Sequence, residues 1–333
     1  MKKTLTLILI LVSIGLVAQS KKTKKPETPV KQEVEINTYS NDYPAYVIYN
    51  HIGEKVTYSQ MVATLLDADI CLFGEQHNDP ISHWLELSLL KTFNGIKGKN
   101  LVVGAEMWEA DNQLVMDEML VLNLVDGQSY TESSKLWSNF TTDYKPLLQY
   151  VKINKLPFVC TNIPRRYARI VFQKGIEYLD SLSDLAKTYM PPLPIYFDLT
   201  QHAYAKMASV FPTDEQFEAK QKEGTKTAHT AMQGSKPSNL VKAQAIKDAT
   251  MAYFILKNWK PGMFFYHFNG EFHSANHESI EFYLKHYNPN VRVRTVSVLR
   301  ESSVMNFDAK NSRADFNVIV PDDMTVTYIA NPI

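Results

Sequence analysis

The stretch ICLFGEQHNDP, Ile70 to Pro80, sets an apolar run directly against a cluster of polar and ionisable side chains. Ile70 to Phe73 read as a strand buried on both faces, because nothing in them alternates between apolar and polar. Gly74, Glu75, Gln76, His77, Asn78 and Asp79 follow without a spacer. Asp79 before Pro80 reads as a helix N-cap with proline at the first helical position. Strand, short polar link and helix start together open a βα unit. In an open parallel sheet, ligands bind beyond the carboxyl ends of the strands, so this polar cluster falls where a site is expected.

The pattern recurs along the chain. LVVGAE (101–106), FVCTN (158–162), MFFYHFNGEFH (263–273) and VRTVSVL (293–299) are further apolar runs. Between them, 81–93, 109–122, 144–154, 165–179 and 240–257 carry helical patterns. Near-continuous apolar strands separated by helices predict an α/β fold, with a mainly parallel central sheet between two helical layers. The regularity breaks over 184–237, which is too long and too polar for one connection and predicts a small inserted helical subdomain, a candidate lid. Residues 44–300 then form the main domain, and 301–333 a C-terminal extension that adds a strand.

The first residues bear on location. A basic MKK start and the uncharged, apolar Thr4–Ala18 predict a signal peptide over 1–18, followed by a flexible tether over 19–43. The expectation is an exported protein, periplasmic, extracellular or at the cell surface. No cysteine follows the apolar run, so it does not read as a lipoprotein. No later segment is long and apolar enough to span a bilayer. The chain has 35 basic and 35 acidic residues, and loss of Lys2 and Lys3 leaves a slight acidic excess. That is no footprint for nucleic acid. Cys71 and Cys160 each lie inside an apolar run and read as buried small hydrophobes. A disulfide between them would require neighbouring strands.

The strand ends agree with one another. The first carries Glu75 and His77, the second Glu106, the third Asn162, and the fourth Asn269, Glu271 and His273. If the strands are parallel, these side chains gather along one edge. His83, in the first turn of the following helix, faces back toward His77. His77, His83 and His273 are therefore candidate ligands for a divalent metal, and with Glu75 and Glu106 they also suit acid–base work. The alternative is that the carboxylates cap helices and the histidines satisfy buried backbone groups. Arg165 and Arg166 fall in the first turn of a helix, where the dipole disfavours cations. They would hold an anion there, or pair with Glu75 or Glu106. Gln244 and Asp248 share a helical face, which by itself reads as solvated.

GEQHNDPISH (74–83), GAEMW (104–108), DYKPLLQY (143–150), NIPRRYAR (162–169), AQAIKDATMA (243–252) and NGEFHS (269–274) together resemble the ChaN-like haem-binding uptake family of the Tiki/TraB/erythromycin-esterase superfamily. The resemblance covers roughly Asp69 to Leu299 and draws Gln244 and Asp248 into the candidate site. It implies a three-layer α/β core, haem binding tied to iron acquisition at the bacterial surface, tyrosine ligation and pairing into a homodimer, with an outer-membrane or surface uptake partner. The insert offers Tyr189, Tyr196, His202, Tyr204 and His229 as haem ligands, with Tyr204 and His202 preferred. Family members are often lipoproteins, and the last histidine motif is usually richer in glycine than NGEFHSANHES.

Two functions follow. One is an exported, non-enzymatic haem-binding protein, with Arg165 and Arg166 as propionate partners. The other is a hydrolase at the strand ends, since superfamily relatives similar in their glutamates and histidines include metalloproteases and an esterase. There Glu75 or Glu106 would activate a water, while His77 and His273 position a metal or the developing charge.

Overall fold

The computed structural model describes residues 44–198, 200–216 and 235–329. The expected signal peptide and tether, and His229, lie outside the described residues. Eight strands form one sheet: β1 (Val47–Asn50), β2 (Lys55–Val56), β3 (Ile70–Glu75), β4 (Leu101–Glu109), β5 (Phe158–Asn162), β6 (Phe264–Gly270), β7 (Val293–Glu301) and β8 (Phe316–Pro321). Their order is β2-β1-β8-β7-β3-β6-β4-β5. From β8 to β5 every neighbour is parallel, and only β1 runs against the others, pairing antiparallel with both β2 and β8. The α/β fold with a mainly parallel sheet is as the sequence predicts.

Period-two alternation sorts the strands between two cores. Cys71 and Phe73 of β3, Val103 of β4 and Tyr266 of β6 pack beneath Leu85, Leu89 and Phe93 of α2 (Pro80–Lys97) and Leu147 and Val151 of α5 (Lys145–Asn154). On the same side lie α1 (Tyr58–Leu65), α3 (Gln113–Leu120) and α4 (Gly127–Ser133), which give Met61, Met116 and Tyr130 to that core. Ile70 and Leu72, Val102 and Phe265 point the other way, toward a long helix over Pro237–Asn258 and a shorter one over Ile280–Tyr287. Asp79 caps α2 by accepting from the amides of Ile81 and Ser82 at 2.9 and 3.0 Å, with Pro80 in its first turn.

Several boundaries differ from the sequence reading. β4 runs on to Glu109 because a bulge interrupts its pairing with β5: Ala105 faces Cys160, but Glu109 faces Asn162. The helix expected from residue 109 accordingly starts at Gln113. α6 (Arg165–Lys174) stops at Gly175, whose φ of +95° ends the helix while its amide still caps Val171. β6 stops at Gly270, and Glu271–His273 form a single 3-10 turn. Cys71 on β3 and Cys160 on β5 are separated by β6 and β4, so they do not pair.

Within 184–237 the described elements are α7 (Asp184–Lys187) and α8 (His202–Ser209). α8 packs on the long helix, here α9 (Pro237–Asn258); the helix over Ile280–Tyr287 is α10.

Candidate functional site

Alternation carries past the cores to the strand ends. Glu75 continues the Cys71–Phe73 face of β3 and so lies on the α2 side of the sheet. Glu106 continues the Val102–Gly104 face of β4 and lies on the α9 side. β6 runs between these two strands, and its last residue, Gly270, stands opposite Glu75 in register. A methyl group on Gly270 would sit 2.6 Å from Nε2 of His77 and 3.5 Å from Oε2 of Glu106. Because Gly270 carries none, the His77 ring lies across the end of β6 between the two carboxylates.

Around that point opens a cavity of about 780 Å³. Glu75, His77, Glu106, Asn162, Gln244 and His273 line it. Leu136, Trp137, Met207 and Phe272 give it apolar walls, while Arg165 and Lys247 add positive charge. Trp137 packs on His77 with ring centroids 4.8 Å apart.

Two ion-paired sets share the floor. In the first, His77 Nδ1 lies 2.6 Å from Glu75 Oε1, which also accepts from the Tyr144 hydroxyl at 2.6 Å. Burial pushes the Glu75 carboxyl up, but His83 and His77 beside it hold it down to about 2. Burial also pulls His77 down, and Glu75 outweighs it to raise the imidazole above its ordinary value. In the second, His273 sits between two carboxylates, with Nδ1 2.5 Å from Asp248 Oδ1 and Nε2 3.2 Å from Glu106 Oε1. Glu106 Oε2 accepts from the Gly270 amide at 2.8 Å. Against burial, Glu106 and Asp248 push His273 up to about 10, so it is an imidazolium at neutral pH. Burial acts on Glu106 in the opposite sense, but His273 and His77 keep it well below the usual carboxylate range.

Not every expected residue joins this floor. His83 is buried behind Glu75, on the α2 side: its Nε2 faces the His77 carbonyl at 3.1 Å and its Nδ1 faces Glu86 at 3.1 Å. The set His77, His83 and His273 is therefore not a coordination shell; among the described residues, the group whose donor atoms lie within 4.8 Å of one another is Glu75, His83 and Glu86. Arg165 reaches the cavity but pairs with Glu109 at 3.3 Å, and Arg166 pairs with Asp111 outside it, so neither meets Glu75 or Glu106. Asn269 turns inward to Ser274, and Glu271 pairs with Arg313.

Asp248 and Gln244 do reach the site. Asp248 is fully buried rather than solvated. Asn162 donates to the Glu106 carbonyl at 3.0 Å, and its Oδ1, like Oε1 of Gln244, has no hydrogen-bond partner. Tyr204, preferred as a haem ligand, is fully buried, and its hydroxyl donates to Asp248 Oδ2 at 2.6 Å. No iron can reach it without unpacking α8 from α9. His202 is exposed at a separate, smaller hollow of about 270 Å³ beside Lys206, Lys310 and Arg313.

Sequence reasoning gave no role to Tyr144, Trp137, Lys247 or Gly270. Tyr144 stands in a motif that carries the family resemblance, which was a usable signal. Lys247 and Gly270 stand in such motifs as well, AQAIKDATMA and NGEFHS, whereas Trp137 lies outside all of them.

The sequence profile of a family described as "Haem-binding uptake, Tiki superfamily, ChaN" matches residues 61–284. Among solved structures, ChaN of Campylobacter jejuni, described by its cofacial haem binding, superposes with a TM-score of 0.59 at 17% identity, over 83% of this chain and 96% of that one. This likeness shows a shared fold. An erythromycin esterase variant in its open conformation gives a TM-score of 0.41 at 11% identity, over 84% and 83% of the two chains. Curated proteins gave no match.

Proposed function

From the premise that this chain belongs to the haem-binding uptake family of the Tiki superfamily, we propose that it binds haem in the strand-end cavity and serves haem or iron acquisition outside the cytoplasm. The observation that carries this reading is the cavity itself, about 780 Å³ with one apolar wall and a histidine on its floor. Haem requires a reachable His, Tyr, Met or Cys donor and an apolar face. Tyr204, Cys71 and Cys160 do not fit, because all three are buried. His77 does fit. Its Nδ1 is held by a carboxylate, as metal-bound imidazoles are, and the missing side chain of Gly270 lets the ring lie over the end of β6 at the cavity floor. Trp137, Leu136, Met207 and Phe272 would cover the porphyrin, and Arg165 and Lys247 would meet its propionates. Bound haem would supply iron as the cargo of uptake. Export through residues 1–18, a homodimer and a surface partner belong to the same reading. Titration of the full chain with haem tests it: saturable binding with a defined ligation spectrum is expected, and non-saturating uptake overturns it.

A second reading is favoured by the paired histidines. His77, oriented by Glu75, has the arrangement of a general base on the cavity floor. His273 has both ring N–H groups committed, to Glu106 and to Asp248, and would fix the Glu106 carboxylate at the edge of the site. This predicts hydrolysis of an ester or amide, lost by at least a hundredfold in His77→Ala. A panel of chromogenic esters with no turnover above buffer would remove it.

A further inference from the structure

Beneath the cavity floor, on the α2 side of β3, lies a cluster of which both readings use only Glu75, through its Oε1. Glu75 is 1% exposed, Glu86 0% and His83 7%. His83 Nδ1 stands 3.1 Å from Glu86 Oε2 and 3.6 Å from Glu75 Oε2. Oε2 of Glu75 and Oε1 of Glu86 have no hydrogen-bond partner, although both are buried. On its far side, His83 Nε2 faces the His77 carbonyl at 3.1 Å and Asp143 at 3.4 Å. A ring N–H donated there leaves the Nδ1 lone pair turned toward two carboxylates. With that ring neutral and both carboxyls ionised, three acceptors meet in a buried space, which costs several kcal/mol unless a proton or a metal cation joins them.

The geometry points to a divalent first-row metal site formed by Glu75, His83 and Glu86. Two ligands bound at about 2.1 Å and set at right to tetrahedral angles stand roughly 3.0–3.4 Å apart, close to the two separations seen here. One imidazole and two carboxylates suit zinc, manganese or ferrous iron. The outer contacts are those a metal-bound histidine needs, since a backbone carbonyl fixes its tautomer. Tyr144 and His77 hold the other oxygen of Glu75. A metal here would tie α2 to β3 and fix the carboxylate that orients His77, without entering the cavity.

Protons are the competing device. Burial and the neighbouring Glu75 charge lift the Glu86 carboxyl well above its usual range, so a protonated Glu86 could bridge to Glu75. Glu86→Gln separates the two, because the amide copies a protonated carboxyl but ligates poorly. The full chain, purified without a metal-affinity tag and stripped with chelator, is incubated with zinc or manganese, desalted and measured by elemental mass spectrometry. The site predicts close to one equivalent per chain and a drop of at least tenfold in Glu86→Gln and His83→Ala. No retained metal in the wild type, or wild-type retention in either variant, overturns it. Should the buried variants misfold, anomalous scattering from metal-soaked wild-type crystals decides: a peak between Glu75, His83 and Glu86 supports the site, and a peak elsewhere or none rejects it.

Discussion

Gly270 shows how much a single missing side chain decides. With β6 between β3 and β4, any Cβ at its last residue would press on His77 at 2.6 Å and force the ring away from Glu106. Gly270→Ala should therefore fold with a cost of roughly 1–3 kcal/mol and lose ligand binding, read by denaturant melts and haem titration; unchanged binding would separate His77 from the site. The ion pairs also predict a pH profile. A histidine raised in the folded state adds stability below its unfolded value near 6.5, and that contribution is lost as pH climbs through about 10 for His273. The carboxylate of Glu75, lowered to about 2, adds stability above its unfolded value and loses it as pH falls toward that figure. Melting temperature against pH should fall from neutrality toward pH 10, and His273→Gln should flatten that limb while weakening the hold on the Glu106 carboxylate.

At the scale of elements, the site depends on helices that never touch a ligand. Asp79 caps α2 and also meets Arg300 of β7 at 3.3 Å, joining the helix start to the sheet. Asp79→Ala should cost about 1–2 kcal/mol, measured as a lower urea midpoint, with the cavity chemistry retained. Tyr204 ties α8 to α9 through Asp248 and thereby holds His273. Tyr204→Phe strips a buried carboxylate of its donor, at about 1–3 kcal/mol, and should leave the haem spectrum as in the wild type. A changed spectrum would return Tyr204 to the list of ligands. The β4 bulge between Ala105 and Glu109 belongs to the same scale, since bulges beside sites re-aim side chains.

Across the whole molecule, the sequence discloses β3 to β7 and a strand in the C-terminal extension, though not β1 or β2, and the edge at which Glu75, His77, Glu106 and His273 collect. Runs such as ICLFGE and LVVGAE are buried on both faces, and only a parallel sheet under two helical layers accommodates them. Sheet order is a different matter. Nothing local says that β6 enters between β3 and β4, so the meeting of Gly270 with His77 is invisible in the sequence, as is the separation of Cys71 from Cys160. Burial of Tyr204 is hidden for a related reason: its partner Asp248 lies 44 residues away, and a tyrosine on a short helix reads alike whether it faces solvent or core. His83 shows the opposite failure, where proximity to His77 was legible but the intervening Glu75 was not.

The most direct measurement is the visible spectrum of haem titrated into the wild type, His77→Ala and Tyr204→Phe in parallel. Saturation in all three, with the ligation bands altered in His77→Ala alone, is the result expected of a haem held over the ends of the strands. An unaltered His77→Ala spectrum, or one that changes only in Tyr204→Phe, would contradict it and place the haem elsewhere on the chain.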